Sequence, residues 1–166
     1  MEFLHLTMHI KSTSIEVMVT VPDKLTTPAR NAIKSLGLDG FKEVCDAILS
    51  NMGDVIAEEP NAVPIMRAVQ RRYPSQRSIP FIDALLEFDL RTAFENSDGP
   101  KQKEQWLAAL FDAFVNKKDS NYQFQIGVQF AHSKCPSMWE PKALDLLAKS
   151  WLASKPLIEA ARVHKN

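Results

Sequence analysis

Arginine is the residue type that this sequence concentrates most. Arg67, Arg71, Arg72 and Arg77 fall within eleven residues around Tyr73, and no acid occurs from Asn61 through Phe81. A guanidinium grips phosphate through two parallel hydrogen bonds, and a tyrosine ring can stack on a base. The segment 67–77 therefore carries what a local RNA or DNA footprint requires. If the segment is helical, Arg67 and Arg71 share a face, because residues four apart are neighbours on a helix. The competing reading is electrostatic. Asp83, Glu87, Asp89, Glu95 and Asp98 follow directly; with Arg91 they give residues 82–98 a charge of minus four, against plus four for 61–80. Two helices packed antiparallel neutralise such stretches against each other.

Other reactive groups are scattered. His5, His9, His132 and His164 are the histidines, and Cys45 and Cys135 the cysteines. On a strand, His5 and His9 share a face but stand about 13 Å apart, too far to bind one metal ion. No acid beside them completes a ligand set, so no metal site is expected. No CxxC occurs, and no glycine pattern of the GxGxxG, GxxxxGK or GxSxG kind. Glu58 and Glu59 are consecutive, so on a helix they do not converge on one substrate. Asp89, Cys45 and His132 could serve an enzyme only if folding brought them together. The residues offer no cofactor site and no catalytic motif, and the expected protein is not an enzyme. Trp139, between Pro136 and Pro141, has the setting of a partner anchor, since tryptophans recur at binding hot spots.

The bulk numbers exclude classes without selecting one. The 166 residues hold 20 Lys+Arg and 20 Asp+Glu, so the zero net charge disfavours a general polyanion binder. The first residues, MEFLHLTMHI, have no basic run ahead of an apolar core, and no stretch approaches 18 apolar residues. A cytoplasmic protein with reduced thiols and no membrane segment is expected.

The elements that must position these groups follow from periodicity. Leu4, Leu6, Met8 and Ile10 alternate with His5, Thr7 and His9, and Ile15, Val17, Val19 and Val21 with Glu16, Met18 and Thr20. Period two with β-branched enrichment predicts a β-hairpin over residues 1–21, turning at Lys11–Ser14. From residue 27 to 164 the period changes to 3.6. Thr27-Pro28 opens a helix that stops at Gly37. Phe41, Val44, Cys45, Ile48, Leu49, Met52, Val55 and Ile56 form a single helical stripe ended by Pro60. Further helices are predicted over 61–73, after Pro80, around Trp106–Phe114, after Pro141 and after Pro156. Residues 121–132 alternate as a strand does, but Ser120–Gln123 is a capping-box pattern, and helix is preferred there. The expectation is a single domain over 1–166 and a mainly α fold. It would be an irregular helical bundle, or a degenerate run of helical-hairpin repeats, with an N-terminal β-hairpin. The expected function is a non-enzymatic protein-interaction module: an adaptor, inhibitor or assembly subunit. It would bind another protein, or itself as a homo-oligomer, through the open edge of the hairpin. The alternative is an RNA- or DNA-binding accessory protein using 67–77.

Overall fold

The structure is a computed structural model that describes residues 4–22, 28–72, 81–89, 104–105, 107–112 and 121–162; side chains are described except at 69–72, 81–89 and 121–122. Strands β1 (His5–Ile10) and β2 (Ser14–Val21) form the hairpin that their alternation predicts. Helices α1 (Pro28–Ser35), α2 (Gly37–Asn51) and α3 (Gly53–Glu58) follow. The break after α1 falls where Gly37 takes φ 69°, a left-handed conformation that costs a residue without a Cβ little. Strands β3 (Val63–Arg72), β4 (Phe81–Asp89) and β5 (Asn121–Ala131) come next, with helical turns at 104–105 and 107–112 between β4 and β5. A 3-10 turn (Pro136–Trp139) leads into α4 (Ala143–Ala153) and α5 (Lys155–Ala160).

The five strands form one antiparallel sheet in the order β1-β2-β5-β3-β4. The mainly α expectation is therefore corrected to a mixed fold of one sheet and a helix layer. Residues 61–73, 81–89 and 121–132, read above as helices, supply three of the five strands. The physical reason lies in their place. β3 is paired along both edges, by β5 and β4, and its side chains are buried on both faces: Met66 and Ala68 on one, Ile65 and Arg67 on the other. A strand buried on both faces loses the simple alternation that marks a half-exposed one. The bundle of helical hairpins goes with this correction, because Val63–Arg72 and Phe81–Asp89 pair as antiparallel strands. In the β3–β4 ladder Arg67 stands opposite Glu87, and Arg71 and Arg72 stand opposite Ile82 and Phe81.

One face of the sheet carries Val17, Val19 and Val21 of β2, Phe124, Ile126, Val128 and Phe130 of β5, and Met66 and Ala68 of β3. On it packs the stripe of α2, with Phe41, Cys45 and Ile48 buried, continued by Met52 and by Val55 of α3. Phe41 meets Phe124 edge-on at 5.6 Å between ring centres. Each such fully buried side chain contributes about 2–3 kcal/mol by leaving water, so this layer supplies the main driving force. Leu146 and Ala153 of α4 and Leu157 of α5 complete it. β2 and β5 approach so closely that a Cβ on Gly127 would collide with the Val17 carbonyl oxygen and lie 2.7 Å from the Met18 Cα. A residue without a side chain is required there.

Candidate functional site

The face of the sheet turned away from these helices is polar at its centre. Glu16 is fully buried, and its Oε2 accepts a hydrogen bond from Arg67 Nη2 at 2.5 Å. Its Oε1 accepts from Lys11 Nζ at 2.5 Å and from Gln129 Nε2 at 3.1 Å. Arg67 Nε donates to Gln125 Oε1 at 2.7 Å, and Gln125 Nε2 donates to Thr20 Oγ1 at 3.0 Å. Thr20 Oγ1 in turn shares a hydrogen bond with Thr7 Oγ1 at 3.2 Å. The network thus ties β1, β2, β5 and β3 together across four adjacent strands. His9 Nδ1 stands 3.5 Å from Glu16 Oε2.

Burial alone would raise the pKa of the Glu16 carboxyl. Hydrogen bonds from Arg67 and Lys11, with the charges of both, outweigh that and hold it at about 2, against an ordinary 4.5. A carboxyl held so low stays ionised at neutral pH, has little basicity and cannot act as a general acid. This arrangement ties the strands together across the sheet.

These contacts bear directly on the arginine cluster. Arg67 is 7% exposed and gives its guanidinium to Glu16 and Gln125, so it is not presented to a phosphate. Arg71 and Arg72 lie at the end of β3, on a strand and not on a helix face. Tyr73 and Arg77 lie outside the described residues. The enzyme candidates are not brought together: Cys45 is buried in the helix layer, Asp89 ends the edge strand β4, and His132 lies just past β5. Cys135, like Cys45, is buried in the core. His164 lies outside the described residues. Among the described residues no group of three or more His, Cys, Asp or Glu is placed to hold a metal, and no helix is long and apolar enough to cross a membrane.

The other feature is the outer edge of β1. Among the described strands β1 has one neighbour, β2. Lys11 N donates to Ser14 O at 2.9 Å, so Lys11 and Ser14 form a hydrogen-bonded pair. Such pairs alternate along an antiparallel ladder, so His5, Thr7 and His9 turn their backbone groups to β2. Leu4, Leu6, Met8 and Ile10 then turn theirs outward, where no strand among the described residues meets them. The bond from His132 N to Thr13 O, 2.9 Å, fits the same alternation on the far side of β2. The side chains of these outward residues share the helix-side face, opposite Val19, Val17 and Ile15 of β2. Leu6 is 57%, Met8 44% and Ile10 71% exposed.

Only six large apolar side chains are exposed among the described residues, and these are three of them; the others are Trp139, Leu144 and Leu152. Trp139 is 67% exposed, with its ring 5.0 Å from that of His132, which is bonded to the hairpin turn through Thr13. Trp139 therefore stands at the end of the sheet where Ile10 lies. α4 packs over β2, with Lys149 turned to Glu58 of α3. Leu144 of α4 is exposed, while Leu147 and Trp151 are partly buried against the core. The outer edge of β1 and its exposed Leu6, Met8 and Ile10 thus share one border of the described sheet. The alternation of β1 was legible in sequence; the exposure of Leu144 on α4, 75%, was not, because residue type alone does not tell an exposed leucine from a buried one. Comparison of the chain with protein-family models, with curated proteins and with solved structures finds no match.

Proposed function

We propose that the protein is a non-enzymatic interaction module whose binding element is the outer edge of β1, to which a strand of a partner adds. The observation that supports this reading is the coincidence, on one edge, of backbone groups that no described strand meets with exposed Leu6, Met8 and Ile10. Proteins usually blunt such edges with a lysine, a proline or a bulge. From Leu4 to Ile10 the strand has no lysine, no proline and no bulge in its register. Added main-chain hydrogen bonds would supply affinity, and the alternate side chains specificity. An adaptor, inhibitor or assembly subunit would all use the edge in this way.

The test is a titration of the 15N-labelled chain with a seven-residue peptide alternating valine and threonine. Shifts confined to β1 amides, and lost in Met8→Lys, are expected. Absence of binding at millimolar peptide, or binding unchanged by Met8→Lys, would refute the proposal.

A further inference from the structure

Resting on that reading, we infer that the strand added at β1 is β1 of a second copy of this chain, paired antiparallel about a two-fold axis at Thr7. A two-fold axis normal to the sheet joins two copies into one continuous ten-stranded sheet. Opposed residues must then face the same side, so their numbers must share parity. Registers centred on Leu6, Thr7 or Met8 bring the outward groups of Leu4, Leu6, Met8 and Ile10 into hydrogen-bonded pairs; centring on Leu6 leaves Ile10 without an apolar partner. Centring on Met8 sets Leu6 against Ile10 but leaves Leu4 against Ser12. Centring on Thr7 sets Leu4 against Ile10 and Leu6 against Met8, so every outward apolar residue meets another. On the polar face Thr7 meets Thr7, and His5 meets His9. No lysine or carboxylate from one β1 faces a like charge between Leu4 and Ile10.

The layer above the sheet supports the same assembly. α4 sits over β2, so the two copies of α4 would be three strand spacings apart, about 14 Å. Packed helices lie about 8–10 Å apart, so the gap needs large apolar side chains to fill it. Leu6, Met8 and Ile10 of both strands, all exposed in the single chain, rise into that gap. The strand is thus complementary to itself in pattern and charge.

The test combines light scattering over 1–300 µM with disulfide trapping. Expected is a mass twice that of the chain at high concentration, reduced to that of the chain in Met8→Lys. On mild oxidation Thr7→Cys should form a covalent dimer, because directly opposed strand residues lie within disulfide reach. Met8→Cys should not, because its nearest copy is displaced by two residues. Cys45 and Cys135 are buried and do not compete. Should Thr7→Cys fail to fold by circular dichroism, a mixture of His5→Cys and His9→Cys gives the same readout as a mixed dimer. A crosslink in Met8→Cys and none in Thr7→Cys would overturn the register. A chain that stays monomeric at 300 µM overturns self-pairing; if it still binds the valine–threonine peptide, the interaction reading stands without it, and if it does not, both fall.

Discussion

Replacing Arg67 with alanine tests how the two-faced sheet is held. The guanidinium is 7% exposed and reaches Glu16 at 2.5 Å and Gln125 at 2.7 Å. Its removal leaves a fully buried carboxylate with Lys11, Gln129 and His9 nearby and its strongest partner gone. Breaking a buried ion pair from one side costs about 3–5 kcal/mol. The pH dependence gives an independent measure. The folded-state pKa of Glu16, about 2, is below its ordinary 4.5. The ionised carboxylate thus stabilises the fold fully above pH 4.5, and that contribution is lost as pH falls toward 2. A depression of this size corresponds to about 3 kcal/mol. Urea unfolding at intervals from pH 7 to 2 should show stability falling over that window in the wild type. In Arg67→Ala the starting stability should be lower by the stated amount and the fall shallower, because burial now opposes the charge with less to offset it. Glu16→Gln combined with Arg67→Met should cost less than the two single changes added together, as for any coupled pair. A loss under about 1 kcal/mol, with an unchanged acid limb, would reduce the pair to the level of an exposed salt bridge and refute the argument.

Further outcomes follow from packing and exposure. Gly127→Ala should cost about 3 kcal/mol or more in urea unfolding, because the new methyl meets the backbone of β2 rather than a movable side chain end. Phe41→Ala should cost about 3–5 kcal/mol, since the ring is 1% exposed and is packed on Phe111 and Phe124. Trp139→Ala should change stability by about 0.5 kcal/mol or less while weakening association measured by light scattering, because the ring is two-thirds exposed beside the β1 edge.

Parts of this structure could be read from the chain. The hairpin was legible because β1 and β2 alternate and carry β-branched residues. The stop of α1 was legible at Gly37, and so was the apolar stripe of α2 through Phe41, Cys45, Ile48 and Met52. β3 was not, because Ile65, Met66, Arg67 and Ala68 are all buried and leave no period of two; methionine, alanine and arginine are also good helix formers. β5 carried the right alternation at Phe124, Ile126, Val128 and Phe130, but the capping pattern at Ser120–Gln123 outweighed it. Pairing with β2 and β3 on both sides overrode that local signal. For the candidate site, the pattern of β1 was readable, and its place at the sheet border needed the strand order. The partner of Arg67 was not readable: Glu16 is 51 positions away, and only the β2-β5-β3 order brings the two together.

The central claim is that the outward amides of β1 receive another strand. Residue-resolved amide exchange, comparing the wild-type chain with Met8→Lys at 300 µM, tests it most directly. His5, Thr7 and His9 amides should be protected in both proteins, because they bond to β2. Leu6 and Ile10 amides should be protected in the wild type and exchange at least tenfold faster in Met8→Lys. Equal exchange of Leu6 and Ile10 in the two proteins would contradict the account.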